Sequence, residues 1–99
     1  MKIFTLKGAD KEGNADLEKE HLDPVVVGRV LAQFRGRKGL SQEVVSGLAG
    51  IGRSHLSAIE RGERKPTMET FYRLSEAMEV SASAILQEIE RQTTVEKGT

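Results

Sequence analysis

The side chains able to do chemistry in this 99-residue chain crowd into one region, with Gln42 ahead of Arg53, Ser54, His55 and Ser57, and Arg61, Arg64 and Lys65 close behind. They are hydrogen-bond donors rather than a nucleophile with its base. An arginine fork can bind the O6 and N7 atoms of a guanine edge with two bonds, short hydroxyl and imidazole groups can reach neighbouring base edges, and cations behind them can touch phosphate. No acid interrupts the run from Arg53 to Ile59; the first is Glu60. The chemistry suggested is recognition of duplex nucleic acid. For the basic residues an ordinary solvated charged face is the competing reading.

Catalysis finds no such support. The only histidines are His21 and His55, there is no cysteine, and no serine stands in a nucleophile-elbow context. Lack of cysteine excludes a disulfide framework and a thiolate zinc site and suits a reducing compartment. Glu88 and Glu90 read as solvated surface, His21 as an exposed polar residue, and neither a phosphate-binding glycine loop nor a metal-ligand cluster occurs. We therefore expect no enzyme, no metal and no cofactor.

The donors need a scaffold, and Gln42 to Ile59, QEVVSGLAGIGRSHLSAI, supplies it. Two short apolar-periodic segments flank Gly50-Ile51-Gly52, a turn too brief for an antiparallel return, so the second helix must leave at a corner. Val44, Val45 and Leu48 are expected inward on the first helix and Leu56 and Ile59 on the second, with Ile51 as a peg. Ser46, Gly47, Ala49 and Gly50 provide small residues for close approach. Ser41 caps the first helix and leaves Gln42 at its start, beside free amides suited to a phosphate. For Gln42 a plain solvated first-turn residue competes equally.

Around this corner three more helices are expected. One starts at Asp23-Pro24, with Leu22 stapled to Val27, runs through Val30, Leu31 and Phe34, and stops at Gly39. Another, about Met68 to Met78, is capped by Thr67 and buries Met68, Phe71, Leu74 and Met78. The last is capped by Ser81 and reaches about Arg91, with Ile85, Leu86 and Ile89 as an apolar stripe that can in part pair two protomers. Division of the charge supports a central site. Residues 1–24 carry four lysines against six acids, residues 25–81 nine cations against six acids, and residues 82–99 two against three. Residues 1–22 read as a flexible or partner-pairing arm, with a short strand over Lys2–Lys7 or a helical turn over Asp16–His21 as options, residues 23–91 as the domain and 92–99 as a tail. No signal peptide or membrane span is evident, so a soluble cytoplasmic protein is expected.

From Val27 to Leu86 the chain resembles the lambda-repressor-like, or Cro/Xre-type, helix-turn-helix domains. LSQEVVSGLAGIGRSHLSAIERGERKPT and LSEAMEVSASAIL carry the likeness. The resemblance implies an all-α five-helix domain that binds double-stranded DNA, usually as a homodimer on a two-fold operator, and regulates transcription. It implies a phosphate-contacting or base-supporting role for Gln42, base reading by Arg53, Ser54, His55 and Ser57, and backbone contacts by Arg61, Arg64 and Lys65. Arg35 and Glu60 match the positions of a partly buried ion pair. Ser46, Gly52, Ser75 and Glu79 depart from the family's common residues. The alternative function is an interaction module, antitoxin-like, in which the same fold binds another protein and DNA contact is weak. A polar, acid-free Arg53 face discriminates against it.

Overall fold

The computed structural model describes residues 22–96. The strand or turn considered within residues 2–21, and His21, lie outside the described residues. Among the described residues five helices follow one another: α1 Pro24–Arg37, α2 Gln42–Ala49, α3 Arg53–Glu60, α4 Met68–Met78 and α5 Ala82–Glu96. Among the described residues none is a strand, and no helix is long and apolar enough to cross a membrane.

Local chemistry sets most of the helix ends. Asp23 accepts a bond from the Val25 amide ahead of Pro24, Ser41 from Val44, Thr67 from Thr70 and Ser81 from Ala84. Such caps each contribute about 1 kcal/mol by satisfying amides that have no partner inside the helix. Gly50, at φ 74°, ends α2, and Gly62, at φ 81°, turns the chain after α3. Glu79 does the same for α4 at φ 58°, the only non-glycine residue with positive φ among those described, and a side chain held there is strained by about 1–2 kcal/mol.

The core is made by Val26, Val27, Val30 and Leu31 of α1, Val45 and Ala49 of α2, Leu56 and Ile59 of α3, Leu74 and Met78 of α4, and Ile85 and Ile89 of α5. Each large side chain buried in this way contributes about 1.5–3 kcal/mol. α1 packs on α3 and α5, and α2 on α3 and α4. The corner is thus wedged between α1 on one side and α4 on the other.

Several inward assignments need correction. Val44 and Leu48 lie on the outside of α2, 46% and 68% exposed, because the helix turns Val45, Ser46 and Ala49 to the core. Met68 is 85% exposed, since α4 docks through Leu74, Ser75 and Met78 and its first turn overhangs the body. Ile85 and Ile89, expected as part of a protomer-pairing stripe, are 0% and 1% exposed within this chain, so a partner cannot reach them; Leu86 alone of the three is exposed. α5 also runs past Arg91 to Glu96. Gln92 accepts from Arg29 and donates to Gln33 and Glu88, tying this extra turn to α1. Arg91 and Gln92 beside it hold the Glu88 carboxyl down at about 2. The buried hydroxyls of Ser46 and Ser75 donate to the carbonyls of Glu43 and Tyr72, which explains how two core positions tolerate serine.

Close helix approach falls at a residue not singled out from the sequence. Gly47 faces open space, whereas a Cβ on Gly28 would stand 2.1 Å from the Ile59 carbonyl oxygen and 2.8 Å from that of Glu60. α1 therefore lies directly against the backbone at the end of α3. Gly28→Ala should destabilise the fold by about 3 kcal/mol through forced separation of the two backbones. Gly36→Ala, also in α1 but with nothing within 4 Å, should instead stabilise by up to about 1 kcal/mol. Urea unfolding of the two variants checks the contrast.

Candidate nucleic-acid interface

α2, the turn and α3 form the corner read from the sequence. Gly50 donates to Gly47 and Ile51 to Ser46, closing α2 before the chain changes direction at Gly52. Gly52 is the N-cap of α3 and offers no side-chain bond, so the first amides of that helix stay open to an anion. Leu56 and Ile59 are buried, which fixes the rotation of α3 about its axis. Arg53 and Ser54 then stand exposed, with His55, Ser57 and Ala58 half-buried beside them. Arg53 makes no hydrogen bond or ion pair with any other described residue.

The starts of α2 and α3 meet. Ser41, Gln42, Glu43, Arg35 and Arg53 line one open concavity of about 550 Å³. Gln42 is held there by donating from Nε2 to Glu60 at 2.8 Å. The same carboxylate accepts from Nε and Nη2 of Arg35 at 2.7 and 2.8 Å, while Nη1 of Arg35 donates to the Leu40 carbonyl at 2.9 Å. One acid from α3 thus binds a donor from α1 and a donor from α2. Its side chain is only 7% exposed and that of Arg35 21%. The bond to Glu60 raises the Arg35 guanidinium further above its usual value.

The basic loop after α3 is partly self-occupied. Arg61 donates from Nε and Nη2 to Glu63 at 2.9 and 3.0 Å, and from Nη1 to the Ser57 hydroxyl. Its neighbour holds the Glu63 carboxyl below the usual carboxylate range, and Glu63 in turn raises Arg61. This pair is exposed, so a phosphate can displace it at little cost. Arg64 and Lys65 are exposed on the same loop. The structure thus brings Gln42, Arg53, Ser54, His55 and Ser57 to the corner and Arg61, Arg64 and Lys65 to its edge. Glu43 at the concavity and the Gln42 to Glu60 bond were not anticipated from the sequence.

Removal of the central carboxylate should be costly. Glu60→Ala leaves the Arg35 guanidinium and the Gln42 amide without their acceptor, and we expect a loss of about 3 kcal/mol in urea unfolding. Arg35→Ala should cost a similar amount, and the double variant less than the sum of the two.

Comparison with known proteins agrees with this geometry. The helix-turn-helix family HTH_3 matches residues 31–85. An uncharacterized HTH-type transcriptional regulator of Sinorhizobium fredii is 45% identical over 56 residues, covering 57% of this chain and 73% of that protein. The HTH-type transcriptional regulator SinR of Bacillus subtilis is 31% identical over 64 residues, 64% of this chain and 58% of SinR. Among solved structures, the restriction-modification controller protein C.AhdI of Aeromonas hydrophila superposes with a TM-score of 0.62 at 33% identity, over 64% of this chain and 96% of that one. With the match spanning more than half its length and the five helices in place, the chain belongs to the HTH_3 helix-turn-helix family of DNA-binding transcriptional regulators.

Proposed function

We propose that this chain binds a specific double-stranded DNA operator in the cytoplasm, as a homodimer on a two-fold site, and so regulates transcription. α3 enters the major groove by its N-terminal end. Arg53 takes a guanine edge with its fork, and Ser54, His55 and Ser57 read the neighbouring bases. Gln42 at the start of α2, with Arg61, Arg64 and Lys65 after α3, contacts phosphate and sets the register. No bond is made or broken, and no cofactor takes part. The observation that carries the reading is the exposed outer face of α3, free of acids, whose first residue stands unpaired beside the start of α2.

The test is binding to duplex DNA from the chain's own promoter region over a range of salt. Arg53→Ala should weaken specific binding by about 1–3 kcal/mol and leave non-specific binding nearly unchanged. Arg64→Ala should weaken both and lower the salt slope by about one phosphate contact. Folding of each variant is checked by thermal unfolding. Absence of any salt-dependent binding at low ionic strength, with the protein folded, would point to an interaction module instead.

A further inference from the structure

We infer that Glu63 is a specificity-determining residue, an internal stand-in for DNA phosphate that occupies Arg61 until α3 seats in the groove. This deepens the operator reading above and rests on it. The turn that closes α3 is built to bring the two side chains together. The Gly62 amide donates to the Ile59 carbonyl at 3.0 Å and the Glu63 amide to that of Ala58 at 2.9 Å, which turns Glu63 back beside Arg61. Gly62 takes φ 81°, and a Cβ there would stand 2.9 Å from the Val25 Cα, so the turn is pinned against α1. Both Glu63 oxygens then accept from Arg61, at 2.9 Å from Nε and 3.0 Å from Nη2. A guanidinium binds a phosphate by the same two-pronged geometry.

Residues 61–65 hold three cations and one acid, and the acid engages one cation only. Arg64 makes no hydrogen bond or ion pair with any other described residue. The Arg61 and Glu63 side chains are 56% and 58% exposed, so a phosphate can reach the guanidinium. Nη1 of Arg61 also donates to the Ser57 hydroxyl, on the base-reading face of α3. Arg61 therefore leaves two partners when it moves to a phosphate. In a sequence-independent complex, held by the DNA backbone alone, the Ser57 bond is exchanged only for water, and Glu63 keeps Arg61. In the seated complex a base edge takes over Ser57 while a phosphate replaces the carboxylate. Non-specific DNA thus meets a loop one positive charge poorer than its cations suggest, whereas the operator draws on all three.

Fluorescence anisotropy of the full chain tests this, with duplex from its own promoter region and unrelated duplex of equal length over a range of salt. Glu63→Gln should raise affinity for the unrelated duplex about threefold or more and steepen its salt slope by about one phosphate contact. Affinity for the promoter duplex should rise by a smaller factor. In an Arg61→Ala background the gain from Glu63→Gln should largely vanish, which separates a held guanidinium from plain repulsion between an acid and DNA. Before DNA is added, side-chain NMR should show slow exchange of the Arg61 Nε–H, quickened severalfold in Glu63→Gln. Unchanged thermal unfolding shows that each variant folds. An equal gain with or without Arg61, or an equal gain on both duplexes, overturns the assignment and leaves operator binding standing. So does Arg61 exchange that Glu63→Gln leaves unchanged. A chain that shows the pair by NMR but binds neither duplex overturns the assignment together with the operator reading.

Discussion

A carboxylate that is almost out of solvent needs partners for its oxygens, and Glu60 receives them from two directions. Arg35 of α1 supplies a two-pronged ion pair and Gln42 of α2 a third hydrogen bond. Taking charges from water costs several kcal/mol per ion, so the pair is a weak source of net stability and a strong source of specific geometry. A helix tilted or slid away from these partners leaves charges buried and unmatched. Because Glu60 is the last residue of α3, the constraint acts on the far end of the helix and leaves its outer face clear.

Backbone contact sets the other dimension. Gly28 lets α1 lie against the carbonyls of Ile59 and Glu60, at a separation where even a methyl group has no room. Leu56 and Ile59 fix rotation, the Gly28 contact fixes distance, and Glu60 fixes the angle to α2. With eight residues, α3 is too short to be stable alone, so its orientation is wholly a property of these contacts. Arg53 can then be left without a partner among the described residues, because nothing about their packing depends on it. The same division explains Glu63: it occupies Arg61 with an exposed bond that is easily given up, in contrast with the partly buried bond that holds Arg35.

Much of this was legible in the residues. Caps at Asp23, Ser41, Thr67 and Ser81, the corner glycines and the 3.6-residue stripes of α1 and α3 were readable because local chemistry decides them. Val44, Leu48 and Met68 were misread for one reason. Apolar periodicity says that a residue can be buried but not whether a neighbour exists to bury it, and the Val44 and Leu48 side of α2 and Met68 at the start of α4 face outward. Of the α5 stripe, which the sequence leaves divisible between core and partner, Ile85 and Ile89 go to the core and Leu86 stays exposed. Gly28 carries a signal in the sequence: a glycine inside an apolar helical stripe, between Val27 and Val30, marks a place where another backbone comes close. The bond from Gln42 to Glu60 had no signal, because it depends on the angle between two helices that only the packed structure sets.

The packed corner turns the Arg53 face of α3 outward, and under the proposed function that face meets base edges. Selection of bound duplexes from random DNA by the full chain, repeated with Arg53→Ala, tests it most directly. The expected result is an enriched motif of two inverted half-sites about 10 base pairs apart, containing a guanine whose enrichment disappears in the Arg53→Ala pool while the other positions persist. Enrichment of no motif by the folded wild type, or of the same motif with that guanine unchanged by Arg53→Ala, would contradict it.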